Sequence, residues 1–138
     1  MLVVDTNLIA YRYLSEAHAE LLADLLRRDR DWAAPRLWRS EFRNVLWTYL
    51  RRDLLRLEDA LAIMDDAEWL MGGRDYEPAS TAVLRLAQTS GCAAYDCEFV
   101  ALAQDLGAPL LTYDRALLAH FPRVAQRPED YLAATPAG

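Results

Sequence analysis

The chain of 138 residues contains no lysine, since all 15 of its basic residues are arginine. A receiver-like phospho-acceptor site, which needs a lysine beside its acids, is therefore excluded. Cysteine is nearly absent too. Cys92 and Cys97 stand alone and five apart, a spacing that fits neither a disulfide framework nor a zinc finger, so both read as thiols of a core. His18 and His120 are the only histidines; they lie on or beside helices and read as packing, capping or solvent-facing residues. No apolar run approaches the roughly 20 residues of a membrane span. Met1 leads directly into Leu2-Val3-Val4 without a basic leader, so the expected location is cytoplasmic.

What is present in quantity is apolar side chain and acid. At 54% hydrophobic residues the chain can bury a substantial core, and its length suits a single domain over residues 1–138. The formal net charge of −6 speaks against nucleic acid as a partner until its distribution is considered. Six arginines (Arg36, Arg39, Arg43, Arg51, Arg52 and Arg56) fall between Pro35 and Leu57, where only Glu41 and Asp53 are acidic. Arginine's planar fork of donors suits phosphate, which makes Arg36, Arg39 and Arg43 candidate RNA contacts. The plainer alternative is a solvated helix face.

Short apolar runs alternate with helical periodicity. Leu2-Val3-Val4 reads as a buried strand with Asp5 at its tip, and Asn7 as the cap of a helix over Leu8 to Leu14. Ser15 is placed to cap the next helix, whose stripe is Ala19, Leu22, Leu25 and Leu26. Trp32 to Pro35 reads as a second strand closed by proline. A long helix from Leu37 to about Leu54 carries Trp38, Phe42, Val45, Leu46 and Tyr49 on one stripe, with Glu41 at its edge. Trp47 lies on a second apolar line of that helix, and with Trp69 it is a candidate for contact with a protein partner.

Leu57 to Met71 predicts a further helix stopped by Gly72-Gly73, and Arg74 to Pro78 a connector with room for a minimal strand. Helices follow from Pro78 to Ser90 and from Ala94 to Leu106. Ala108 to Thr112 reads as a strand that again ends near acid, at Asp114. A short helix over Ala116 to Phe121, a last strand at Val124-Ala125, a helical turn at Pro128 to Leu132 and a frayed tail complete the pattern.

Strands alternating with longer helices specify a parallel sheet covered on both faces. Ligands of such sheets bind beyond the C-terminal tips of the strands, where Asp5 and Asp114 fall. Asp96 is the unexpected member. Phe99, Val100 and Ala103 follow it at three, four and seven residues, so it lies on the buried stripe of its own helix. A carboxylate there must be paired or coordinate a cation. If Asp5, Glu41, Asp96 and Asp114 converge, a cation relieves their repulsion, and an all-oxygen set suits Mg²⁺ or Mn²⁺. Such ions orient water and stabilise charge on a phosphodiester, which points to metal-dependent hydrolysis of nucleic acid. Glu98, two residues beyond Asp96, points about 200° away on an ideal helix and is not counted. A phosphatase of the haloacid dehalogenase type needs a second Asp where this chain has Asn7.

Val4-Asp5-Thr6-Asn7-Leu8, Ser40-Glu41, Tyr95-Asp96 followed by Val100 to Ala103, and Leu111-Thr112-Tyr113-Asp114 resemble the ordered acidic motifs of PIN-domain ribonucleases. The short length, the Gly-Ala-Pro-Leu-Leu-Thr approach to Asp114 and the Pro-Glu-Asp-Tyr ending are most similar to VapC-type toxins of bacterial toxin–antitoxin pairs. The resemblance implies a three-layer α/β/α sandwich with a central parallel sheet and a Mg²⁺- or Mn²⁺-dependent endoribonuclease. It implies Asp5, Glu41, Asp96 and Asp114 as the catalytic and metal-binding acids, with Asn7 and Thr112 in support. It also implies RNA as substrate, a cognate antitoxin as partner and a homodimer. The alternative is a catalytically silent PIN-like scaffold that binds RNA or a protein.

Overall fold

The computed structural model describes residues 1–135; the expected frayed tail extends into 136–138, which lie outside the described residues. Its strands are β1 (Leu2–Val4), β2 (Trp32–Pro35), β3 (Asp75–Tyr76), β4 (Leu110–Leu111) and β5 (Ala125–Gln126). All pair in parallel, in the order β3-β2-β1-β4-β5. The apolar run Leu2-Val3-Val4 sits at the centre because both of its faces are covered, and each residue is at most 1% exposed.

Between β1 and β2 run α1 (Thr6–Leu14) and α2 (Glu16–Arg28), and between β2 and β3 run α3 (Leu37–Arg51) and α4 (Leu57–Met71). Next come α5 (Ser80–Ser90) and α6 (Ala94–Leu106), then α7 (Arg115–His120) between β4 and β5, and α8 (Pro128–Ala134) last. The chain steps outward from β1 to β2 to β3, then returns past β1 to β4 and steps outward the other way. Right-handed crossovers therefore set α1 to α4 on one face and α5 to α7 on the other. Contacts agree: α1 packs on α2 and α3, α3 on α4, α5 on α6, and α6 against β1, β2 and β4. The expected α/β/α sandwich is the observed one.

Trp32, Trp38, Phe42 and Phe99 are the largest fully buried side chains and hold the two helical layers to the sheet. Removing a ring such as Phe99, 1% exposed, to alanine costs about 3–5 kcal/mol. Cys97 is buried and Cys92 half-buried, both as free thiols. Gly107 ends α6 at φ +62°, a conformation that side-chain-bearing residues rarely adopt.

The structure differs from the sequence expectations at several element ends. Asp5, not Asn7, caps α1, and its carboxylate accepts from the Thr6 backbone N–H at 2.8 Å. Ser15 makes no side-chain cap for α2; its hydroxyl bonds Nδ1 of His18 at 2.7 Å instead. The long helix α3 stops at Arg51, three residues early, because Asp53 turns the chain through φ +56°. Pro78 precedes α5 rather than opening it. Regular pairing in β4 spans only two residues, although Thr112 N–H still donates to the Gln126 carbonyl at 3.1 Å.

Candidate active site

The sheet reverses its winding between β1 and β4, and ligands of open α/β sheets bind at that reversal. Register places the two strand tips side by side. Val4 lies opposite Leu111, and Asp5 N–H donates to the Leu111 carbonyl at 3.0 Å. Asp5 therefore neighbours Thr112, and the Thr112 hydroxyl donates to Asp5 Oδ2 at 2.7 Å. The same hydroxyl accepts from Asp114 N–H at 2.9 Å. Asp114 caps α7, its Oδ1 accepting from Leu117 N–H at 2.9 Å. Two strand ends and two helix starts are thus fastened around one buried threonine.

Glu41 reaches the same place from the second turn of α3. Thr6 Oγ1 donates to its Oε1 at 2.7 Å. Asp96 comes from the first turn of α6 on the opposite layer, where the positive end of the helix favours a carboxylate. Asp5, Glu41, Asp96 and Asp114 all line one open cleft of about 510 Å³. Asn7 lines it as well, with Nδ2 a long 3.4 Å from Asp5 Oδ2 and a buried Oδ1 that has no hydrogen-bond partner among the described residues.

Crowding of like charge is visible in the acidities. Burial pushes the Asp5 carboxyl up to about 6; bonds from Thr112 and Thr6 oppose the rise, and the charges of Glu41 and Asp96 add to it. Glu41 is raised by burial and by Asp96, against the Thr6 bond. Asp96 is raised by burial and by Asp114. Glu98 is half-buried and lines a separate hollow with Glu77, so it stands apart from the four, although Glu41 is among the charges that raise it.

Among the described residues no group of three or more Asp, Glu, His or Cys side chains forms a ready-made cation cage. Drawing the four carboxylates onto one ion requires rotamer adjustment. The donor chemistry nonetheless fits a hard cation, being all oxygen and mutually repulsive, and the orphaned Asn7 Oδ1 fits a water held beside it.

The candidate RNA-binding arginines divide. Arg39 is engaged with Asp75 at 2.5 Å and Glu68 at 3.0 Å and lies over the Trp38 ring, so its charge is already matched inside the fold. That contact draws the Asp75 carboxyl below its ordinary range despite its burial. Arg36 and Arg43 are exposed. Trp47 and Trp69 are 53% and 76% exposed, large aromatic area left in water on α3 and α4.

Sequence reasoning missed Thr6, which holds Glu41, as well as Asn44 and Tyr49, which line the cleft. A polar residue one turn beyond Glu41, at spacing three, was the available signal for Asn44. Nothing local marks Thr6 as the partner of a residue 35 positions away.

A parallel sheet with layered helices and an acidic cleft at its winding reversal defines an α/β domain built around clustered carboxylates. The chain belongs to the PIN-domain family, whose sequence profile matches residues 2–125. It is 32% identical over 125 residues to Ribonuclease VapC3 from Pyrobaculum aerophilum, a match covering 88% of this chain and 95% of that protein. The crystal structure of PAE2754 from Pyrobaculum aerophilum is similar, with a TM-score of 0.72 and 26% identity, covering 96% of this chain and 94% of the other.

Proposed function

We propose that this protein is a Mg²⁺- or Mn²⁺-dependent endoribonuclease, the toxin of a toxin–antitoxin pair, in which Asp5, Glu41, Asp96 and Asp114 are the catalytic and metal-binding acids. The observation that carries the reading is that these four, scattered over more than a hundred residues, line one cleft at the sheet's winding reversal. Similarity over most of the chain to a protein named Ribonuclease VapC3 supports the same reading.

A bound divalent ion would supply charge stabilisation for the phosphodiester and acidify a water. The chain's residues supply the rest. Asp5 is oriented by three donors, from Thr6, Thr112 and Asn7. Glu41 is tethered through Oε1 only, which leaves its second oxygen free to take a proton from water. No hydrogen bond within the described residues contributes to the state of Asp96, so its oxygens are available to an ion. Exposed Arg36 and Arg43 offer phosphate contacts at the start of α3. The homodimer and the cognate antitoxin belong to this reading, and the exposed Trp47 and Trp69 are the residues suited to such contacts. The place of action is the cytoplasm; no helix among the described residues is long and apolar enough to cross a membrane.

The test is cleavage of single-stranded RNA by purified wild type and Asp96→Asn, prepared identically, with Mg²⁺, with Mn²⁺ and with chelator. Cleavage by wild type alone, stopped by chelator, is the expected result. Equal cleavage by both proteins exposes a contaminant. With no cleavage by either on a broad panel, retained metal binding would favour the silent scaffold.

A further inference from the structure

The acidic cleft does not end at its carboxylates. Its far wall is Tyr11 and Leu14 of α1 with Asn44 and Tyr49 of α3, and beyond Leu14 and Tyr49 a second hollow of about 340 Å³ opens around Arg12. Leu14 and Tyr49 line both, so the two hollows adjoin along α1.

We propose that together they act as one groove that binds the nucleotide next to the scissile phosphate, with its base against Tyr49 and Tyr11, its edge read by Asn44 and its outer phosphate on Arg12. The assignment rests on the ribonuclease reading above and extends it to the substrate's neighbouring unit.

Each part has its chemistry. Tyr11 is held rigid, with His18 stacked on it at 4.3 Å and 14° and His18 itself fixed through Nδ1 to Ser15. Tyr113 also lies against the Tyr11 ring, tilted at 5.5 Å, and Tyr11 and Tyr49 line the same cleft, so these two offer an unstacked base aromatic surface. Asn44 is exposed, and its side-chain amide makes no hydrogen bond among the described residues, although Thr48 Oγ1 donates to its backbone carbonyl. Its free amide offers both a donor and an acceptor to a base edge.

Arg12 is the distinguishing residue. Arg27, Arg39, Arg56 and Arg127 each pair with a carboxylate, Arg74 bonds backbone carbonyls, and the remaining arginines are exposed, whereas Arg12 is half-buried, pairs with no carboxylate among the described residues and lies over the Tyr13 ring at 5.5 Å. Its Nε–H is buried without an acceptor, although Glu16 also lines the hollow. The Nε–H is out of reach of solvent, so an incoming phosphate would meet the outer guanidinium nitrogens through charge-assisted bonds. Arg12 stands seven positions after Asp5, about 10 Å along the axis of α1. Acid cleft, aromatic wall with amide, and unpaired arginine follow in the order of phosphate, base and phosphate along a strand.

The test is steady-state cleavage of single-stranded RNA with Mn²⁺ by wild type, Arg12→Gln, Tyr49→Leu and Tyr49→Phe, each first shown to melt as a folded protein. Arg12→Gln should raise KM more than it lowers kcat, and reduce the salt slope of log KM by about one. Tyr49→Leu should raise KM about tenfold, and Tyr49→Phe should recover most of that loss. On RNA with an abasic nucleotide beside the cut, Tyr49→Leu should add little further loss.

Wild-type KM and salt slope in both Arg12→Gln and Tyr49→Leu would overturn the groove while leaving the ribonuclease standing. Should wild type cut no RNA, the ribonuclease reading fails first. Fluorescence anisotropy with labelled RNA then decides the groove, and equal affinity for wild type and Arg12→Gln overturns it. Loss of a copurifying protein from Arg12→Gln, with RNA handling unchanged, would also overturn it and assign the groove to a peptide.

Discussion

Thr112 Oγ1 lies 2.7 Å from Asp5 Oδ2 and 2.9 Å from the Asp114 backbone nitrogen, so one hydroxyl joins the acids at the tips of two adjacent strands. The threonine is fully buried, and water does not replace it. Thr112→Val, close in shape, leaves an acceptor and a donor unmet. Denaturant unfolding should show a loss of about 1–3 kcal/mol. RNA cleavage should fall at least tenfold as Asp5 and Asp114 lose their common reference. Thr112→Ser should be milder in both assays.

The hydroxyl of Thr6 plays the corresponding part for Glu41, at 2.7 Å across α1 and α3. If Glu41 takes the water's proton as proposed, Thr6→Val should lower kcat about tenfold and change KM little. Equal kcat in variant and wild type would show that this tether does not position Glu41 for the reaction.

The acidity of Asp5 makes stability depend on pH in an unusual direction. Its carboxyl titrates near 6 in the folded protein against an ordinary 3.8, so between those values the folded state binds more protons than the unfolded one. Stability from this group is fully present below 3.8 and is lost as pH rises through 6. The difference amounts to about 3 kcal/mol by pH 7.5. The raised Glu41 and Asp96 act in the same direction. Metal-free protein should therefore melt at a higher temperature at pH 5 than at pH 7.5, and excess Mg²⁺ or Mn²⁺ should narrow the gap from the alkaline side. Parallel melting curves with and without metal would count against cation binding at these acids.

Arg39 and Arg43 should separate fold from substrate. Asp75 is 12% exposed and depends on Arg39, itself 29% exposed, so Arg39→Met should cost about 1–2 kcal/mol after allowance for solvent screening. Arg43→Gln should leave stability within about 0.5 kcal/mol and instead weaken RNA binding in a salt-dependent way. Urea titration and KM at two ionic strengths distinguish the two variants.

Most of the architecture was legible because its signals are local. The Leu2-Val3-Val4 run, the stripe of α6 and the glycines that end helices each declare themselves within one or two turns of chain. The buried position of Asp96 was readable from Phe99 and Val100 for the same reason. Asn7 as a helix cap was wrong because Asp5 does two things at once, capping α1 through Oδ1 and meeting Thr112 through Oδ2. Sequence shows a residue's type but not how its two oxygens are shared. The end of α3 was misplaced because Leu54 continues an apolar line that in the fold is 58% exposed. Arg39 was counted among free cations because its partners lie in α4 and β3, far along the chain.

The acids of the cleft differ in what else depends on them. Asp5 and Asp114 each cap a helix, whereas no hydrogen bond among the described residues involves the Asp96 side chain. Over evolutionary descent this makes the four positions unequally replaceable. A lineage released from the need for activity can let Asp96 drift first and keep its architecture, while changes at Asp5 and Asp114 are confined to side chains that still cap. On the proposed reading of the site, persistence of the two caps in a relative testifies to the scaffold, and persistence of Asp96 to use.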